Sequence, residues 1–242
     1  METKAKISVV VPVLNRVKLI ERSLDSIAAQ DVRPLNLHII DNGSADGTQD
    51  VVWNWINRHG DDKGLCVTLM EEKQRGAARA RQTALDIVDT EWVYFFDSDD
   101  EMLPGTLSSA LALGDEADLV CFPLQLVDLN GRTFTLPIKK GNPLRRQVFN
   151  SLLSTQAYIC RTEFLKASGG WNKSLMVWDD WELGIRLLRH NPRVAFLHRD
   201  GAKIYRQEDS ITGTDFGSKQ GQWEGVIDLI AADAGNWLLY TS

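Results

Sequence analysis

Ile7-Ser8-Val9-Val10-Val11-Pro12-Val13 decides the fold. It is an almost unbroken apolar run rich in β-branched residues, the pattern of a parallel strand covered on both faces. The polar segment 17–30 follows, with Leu19, Ile20, Leu24 and Ile27 at helical spacing. The same alternation then recurs. Strands are expected from Leu35 to Ile40, ending at Asp41, from Leu65 to Met70, from Trp92 to Phe96, ending at Asp97, and from Leu119 to Val127. Helices are expected from Thr48 to Arg58, Gly76 to Val88 and Pro104 to Leu113, the last with proline in its first turn. Strands start near 7, 35, 65, 91 and 118, which is the spacing that successive βα units require. The fold class expected is α/β: an open, mainly parallel, Rossmann-like sheet with helices on both faces. Such sheets bind ligands beyond the carboxyl ends of their strands, where Asp41 and Asp97 fall.

The second half is less regular. Asn130-Gly131 reads as a hairpin turn, and Gly141-Asn142-Pro143 breaks the chain again. Helical segments are expected near Arg145 to Leu153, Arg161 to Ala167 and Asp179 to His190. Val194 to Leu197 and Ala202 to Tyr205 read as short strands, and Trp223 to Ala232 as an apolar helical piece. No linker separates two independent domains.

Composition narrows the function. Of 242 residues, 43% are apolar and 25% charged, with 7 Pro and 18 Gly, which excludes a mainly disordered or collagen-like chain. Twenty-seven basic against 33 acidic residues leave a net charge of −6, which argues against nucleic acid as a partner. Cys66, Cys121 and Cys160 are far apart and form no CxxC, so they read as buried thiols in a reducing compartment. The longest apolar stretches are strand-sized, so no transmembrane helix or secretory signal is expected. The location expected is cytoplasmic, with peripheral contact at the inner membrane face as an option.

Four constellations could carry chemistry. Tyr94-Phe95-Phe96 runs directly into Asp97-Ser98-Asp99-Asp100. Residues two apart on a strand share a face, so Asp97 and Asp99 can aim at one point. A hard divalent cation would relieve their repulsion and could neutralise a diphosphate. Asp41-Asn42-Gly43-Ser44-Ala45-Asp46-Gly47-Thr48 is a polar turn whose glycines permit positive φ and whose Asp41 can accept from a ribose or base. Arg75-Gly76-Ala77-Ala78-Arg79-Ala80-Arg81 opens a helix with small residues and arginines, which suits a nearby phosphate. Trp178-Asp179-Asp180-Trp181-Glu182 puts carboxylates in a helix's first turn among aromatics, where a carboxylate can serve as a base. Each also has a plain structural reading as turn, cap or solvated helix face. His38, His59, His190 and His198 form no tight pair, and neither GxxxxGK[ST], GxGxxG nor GxSxG occurs.

Taken in order, these motifs resemble glycosyltransferase family 2, inverting enzymes of the GT-A fold. The resemblance rests on Val9-Val10-Val11-Pro12-Val13-Leu14-Asn15, Ser23-Leu24-Asp25-Ser26-Ile27, Ile40 to Thr48, the DxD-like Asp97-Ser98-Asp99-Asp100, Gly169-Gly170-Trp171, Asp179-Asp180-Trp181, and Tyr205-Arg206 with Ser210-Ile211-Thr212. It implies a nucleotide-sugar-binding half over 1–128, an acceptor-binding and catalytic half of the same domain over 129–215, and a helical tail over 216–242. It implies that Pro12, Val13, Asn15, Asp41, Arg75, Arg79, Asp97 and Ser98 surround the nucleotide, with Asp41 toward the base. Asp99 would hold Mn²⁺ or Mg²⁺, and Asp180 would be the general base. Asp179, Trp178, Trp181, Gly170 and Arg206 would line or support the acceptor side. The implied donor is a nucleoside-diphosphate sugar, UDP-linked by family habit, with guanosine and thymidine as alternatives. The implied acceptor is a glycan or lipid-linked hydroxyl, as in cell-surface polysaccharide synthesis.

The chain departs from the family pattern at three points. Asp179 stands where Glu is usual, Gln82 where Asn follows the arginine, and Gln207-Glu208-Asp209 where a histidine is common after Tyr-Arg. The missing histidine motivates an alternative, a non-catalytic nucleotide- or glycan-binding module on the same fold. A nucleotide-sugar pyrophosphorylase is disfavoured, because no glycine-rich loop bearing Arg or Lys follows the first strand.

Overall fold

A computed structural model describes residues 4–60, 62–138, 141–207 and 222–234. Two sheets organise them. The larger has seven strands in the order β10-β6-β9-β4-β1-β2-β3. Its centre is β1 (Ile7–Val13), flanked by β2 (Leu35–Asp41) and β4 (Trp92–Phe95), with β3 (Leu65–Glu71) at one edge. These four run parallel, and the β1–β2 register brings Val13 beside Asp41.

Alternate residues of the central strands face opposite layers. Ile7, Val9, Val11 and Val13 of β1 and Leu35, Leu37 and Ile39 of β2 pack against α1 (Ile20–Ala28), α2 (Thr48–His59) and α4 (Thr106–Ala112). Val10 and Ile40 face the other layer, built from α3 (Ala77–Ile87), α6 (Thr162–Ala167) and α7 (Asp179–Arg189). Each fully buried large aliphatic side chain contributes about 1.5–3 kcal/mol, so a strand buried on both faces is strongly fixed in register.

Three expectations change. The single strand expected from Leu119 to Val127 is two: β6 (Leu119–Cys121) in the large sheet and β7 (Leu124–Val127) in the small one. Pro123 lies at the break; proline cannot donate to a ladder, and the chain changes sheets there. An unexpected strand, β9 (Tyr158–Arg161), lies antiparallel between β4 and β6. Because β9 reverses twice, β4 and β6 remain parallel to each other, as do β6 and β10 (Val194–Phe196). Finally, Cys66 is exposed, because β3 is an edge strand; Cys121 and Cys160 are buried.

The small sheet has the order β5-β11-β7-β8, with β5 (Glu101–Met102), β8 (Thr133–Leu136) and β11 (Ala202–Tyr205). The expected hairpin at Asn130-Gly131 joins β7 to β8, and Gly131 has φ +76°. Among the described residues, no helix is long and apolar enough to cross a membrane. The expected motif Ser210-Ile211-Thr212, and Glu208 and Asp209, lie outside the described residues.

Helix α5 (Pro143–Asn150) ties the second half together. It starts with an Asn142 side-chain cap on the Arg145 amide and Pro143 in the first turn. Its Gln147 donates to the Trp181 carbonyl at 3.1 Å and accepts from the Leu153 amide at 2.7 Å. The Trp181 indole donates back to the Gln147 carbonyl at 3.1 Å. Gly184 of α7 lies against this network: a Cβ there would stand 2.2 Å from Gln147 Nε2. Gly184→Ala therefore costs about 1–3 kcal/mol by overpacking, read as a lower urea midpoint at unchanged slope. An unaltered midpoint would show that Gln147 is not held as described.

Candidate active site

The carboxyl ends of β1, β2 and β4 meet at one edge, and the loops beyond them carry the candidate residues. Asp41 ends β2 and is 1% exposed. Its Oδ2 accepts from the Gly43 and Ser44 amides at 3.2 and 3.1 Å and from Gln49 Nε2 at 2.7 Å. Its Oδ1 is buried with no hydrogen-bond partner, a condition that costs free energy unless a ligand or water completes it. Asn15 has φ +52°, a region that asparagine tolerates, and its Oδ1 accepts from the Ala45 amide at 2.9 Å. Asn15 thus braces the Asp41 loop. Pro12 is partly buried and Val13 fully, both in β1.

Beyond β4, the acidic turn is held from several sides. Asp97 accepts from Arg81 Nη2 at 2.8 Å on one oxygen and from Gln156 Nε2 at 2.7 Å on the other. Asp99 pairs with Arg16 Nε at 3.1 Å, and its backbone carbonyl accepts from Arg22. Asp100 accepts from Gln156 and from the Tyr205 amide, the latter at 2.9 Å. Ser98 is buried. Burial, then the charge of Asp97, holds the Asp99 carboxyl above the usual range, against the opposing pull of Arg16. Asp100 is pushed up to about 8 by burial and by Asp97 and Asp99. Crowding and burial thus favour protonation of Asp99 and Asp100, a penalty that a cation in the turn would relieve.

Arg81 joins this turn to the second half. Its Nη1 donates to Asp179 Oδ2 at 2.6 Å while Nη2 holds Asp97, and its guanidinium lies 4.7 Å from the Trp171 ring centroid. Burial alone would lower its pKa, but Asp179, Asp97 and Asp180 together raise it. Asp180 follows in the first turn of α7 and accepts from the Trp181 amide at 2.8 Å. Burial and Asp179 push its carboxyl up to about 6, with Arg81 pulling the other way. The turn into α7 passes through Trp178 at φ +54°, which is rare for a bulky residue. The Trp178 and Trp181 rings lie 5.2 Å apart.

The other expected residues are more distant in role. Arg79 donates to Gln74 at 2.8 Å, and Arg75 is exposed. Gly170 has φ +63°, and a Cβ there would meet Gln82 Oε1 at 2.3 Å. That Gln82 oxygen accepts from the Trp171 amide at 2.7 Å, so Gly170 allows the close approach that seats Trp171 under Arg81. Arg206 is exposed, and its amide donates to Val127. Arg81, Gln156, Gln49 and Arg16 were not among the expected site residues. A signal existed for Arg81: it falls on the buried stripe of α3, three after Ala78 and four before Leu85.

A divalent cation was also expected here. Among the described residues no three acidic, histidine or cysteine side chains gather into a cage. Both Asp97 oxygens are engaged, whereas Asp99 gives only one oxygen to Arg16. One carboxylate with an oxygen to spare in a crowded acidic turn fits an ion that would take its other ligands from a bound diphosphate and water.

The family model for glycosyl transferase family 2 matches residues 8–168. That span covers β1 through α6 and includes the Asp41 loop, Arg81 and the acidic turn. The chain belongs to glycosyltransferase family 2. It is 31% identical over 162 residues to a GalNAc(5)-diNAcBac-PP-undecaprenol beta-1,3-glucosyltransferase of Campylobacter jejuni, covering 67% of this chain and 48% of that protein. It is 30% identical over 168 residues to the poly(ribitol-phosphate) beta-N-acetylglucosaminyltransferase TarS of Staphylococcus aureus, covering 66% of this chain and 28% of that protein. The chain thus spans half or less of these two relatives. The crystal structure of S. aureus TarS 1-349 with UDP-GlcNAc superposes with a TM-score of 0.75 at 25% identity, over 94% of this chain and 66% of that one. A Pyrobaculum calidifontis mannosyltransferase in complex with GDP-Man and Mn²⁺ shares the fold, with a TM-score of 0.66 at 24% identity, over 86% of this chain and 59% of that one.

Within this family 2 fold, Arg81 is, among the described residues, the one basic group that bridges Asp97 and Asp179. Removing it as Arg81→Met strands both carboxylates. The expected loss is about 3 kcal/mol, the low end for a broken buried pair, because Asp97 keeps a third of its side chain in water. Guanidinium unfolding measures it; a loss within experimental error would show that the bridge contributes nothing to stability.

Proposed function

We propose that this chain catalyses inverting transfer of a sugar from a UDP-sugar to a hydroxyl of a glycan or lipid-linked acceptor. The observation that carries the reading is the placement of Asp180, next to the Asp179 that Arg81 ties to Asp97 of the acidic turn, with its carboxyl pushed up to about 6. The relatives support it, being sugar transferases to undecaprenol-linked or ribitol-phosphate acceptors, one of them solved with UDP-GlcNAc.

In this reading the uracil edge completes the unpartnered Asp41 Oδ1, with Pro12, Val13 and Asn15 shaping that end. Asp97, Ser98, Arg75 and Arg79 attend the ribose and phosphates. Asp99, with Asp97 nearby, would hold Mn²⁺ or Mg²⁺. When bound, the cation supplies charge neutralisation at the leaving diphosphate. Asp180 takes the proton from the acceptor hydroxyl as its oxygen attacks the anomeric carbon. The bond from that carbon to the diphosphate breaks, its electron pair leaves with UDP, and the configuration inverts. Arg81 restrains the pKa of Asp180 so that it is ionised near neutrality. The 129–215 half, including Asp179, Trp178, Trp181, Gly170 and Arg206, takes the acceptor. An undecaprenol-type acceptor would bring the protein to the membrane face.

Calorimetric titration with UDP, GDP and TDP, each with Mn²⁺ and with EDTA, tests donor and cation together. UDP should bind tightest and only with metal, and Asp99→Ala should reduce its affinity to the EDTA value. Equal binding in Asp99→Ala would remove the cation from Asp99.

Asp180→Asn should lower turnover by about 10²–10⁴-fold while leaving UDP binding intact. Because the carboxylate must be ionised to act, kcat should fall as pH drops through about 6 and level off above it. A rate that stays flat through that window would contradict the base role. UDP binding with no turnover of any UDP-sugar would favour a non-catalytic module, the reading that the absent histidine after Tyr205-Arg206 supports.

A further inference from the structure

A cavity of about 460 Å³ opens between α5 and the chain beyond β6 and β10. Its walls are apolar: Pro123, Pro137, Ile138, Leu152 and Phe196. Two polar side chains, Arg146 and His198, interrupt them. Arg146 lines the cavity, is 8% exposed, and its Nη1 is buried with no hydrogen-bond partner. No hydrogen bond or ion pair of its guanidinium occurs among the described residues. A buried guanidinium without an acceptor is costly, and the polar surface it needs is an anion. The volume falls in the range of small-molecule sites, and an apolar wall with a few placed polar groups is their usual chemistry.

The position is informative as well. Pro123 follows the carboxyl end of β6, and Phe196 ends β10; both strands run parallel to β4, the strand that delivers Asp97. The cavity therefore opens at the same edge of the large sheet as the acidic turn. Arg146 also precedes Gln147, the residue bonded to the Trp181 carbonyl beside Asp180. One turn of α5 thus connects the cavity to the start of α7.

We propose that this cavity is an acceptor subsite for an anionic amphiphile, an anionic head on Arg146 with an apolar chain against the prolines and aliphatic walls. It rests on the transferase reading only in naming the occupant as the acceptor; the binding site itself does not depend on catalysis.

The test is binding of dodecyl phosphate, below its micellar concentration, to the full chain by calorimetry, alongside dodecanoate, dodecanol, dodecyltrimethylammonium and inorganic phosphate. Dodecyl phosphate should bind about tenfold or more tightly than dodecanol or inorganic phosphate. Dodecanoate binding equally well would identify the head as any anion, and weaker binding would identify it as phosphate; either supports the site. Arg146→Gln should remove the preference for the anionic head, with UDP binding unchanged. Ile138→Trp, which fills the cavity and leaves Arg146 in place, should abolish binding of the chain. Equal binding of dodecanol or of the cationic amphiphile, or undiminished binding in both variants, would overturn the proposal. UDP binding read in the same samples separates that outcome from failure of the transferase reading itself.

Discussion

The Arg81 guanidinium, stacked on Trp171 and buried, faces two carboxylates from opposite halves of the chain. Asp97 comes from the loop after the central parallel strands, and Asp179 from the first turn of α7. The two carboxylates, partly withdrawn from water and brought together, repel without a cation between them, and no other basic side chain among the described residues bridges them. The bridge therefore sets where α7 begins relative to β4. It also sets the electrostatics of the next residue. Asp180 feels burial and Asp179 pushing its pKa up and Arg81 pulling it down, and the balance lies at about 6. Such a balance leaves a carboxylate ionised at neutral pH yet basic enough to take a proton, as the proposed transfer from an acceptor hydroxyl requires.

Around that bridge the site is assembled from backbone economy. The Asp41 loop is braced by Asn15 at positive φ, and Asn42 reaches across to the Glu72 and Gln74 carbonyls and the Gly76 amide. The loops after β1, β2 and β3 are thereby tied into one rim. Trp178 at φ +54° shows where local conformation yields to the position that α7 must hold.

The parallel half was legible because its strands are long β-branched runs at regular spacing, and burial on both faces leaves little ambiguity of register. The carboxylates at strand ends were legible for the same reason: an acidic turn after an apolar strand has few structural purposes. What escaped was short or non-local. Tyr158-Ile159-Cys160-Arg161 is four residues with no turn signature, and its pairing between β4 and β6 is written in no local pattern. Leu119 to Val127 reads as continuous because apolar residues flank Pro123 on both sides. Arg81 is one arginine among three in its segment; only its place on the alanine stripe of α3 separates it from its more exposed neighbours. Gln156 carries no signal in its neighbours at all, yet it holds both Asp97 and Asp100.

A crystal structure of the protein with UDP and Mn²⁺ tests the account most directly. It should show the uracil at Asp41 Oδ1, the metal on Asp99 with the diphosphate, and the Arg81 bridge to Asp97 and Asp179 intact beside an open approach to Asp180. A nucleotide bound away from the carboxyl edge of β1, β2 and β4, or a metal held without Asp99, would contradict it.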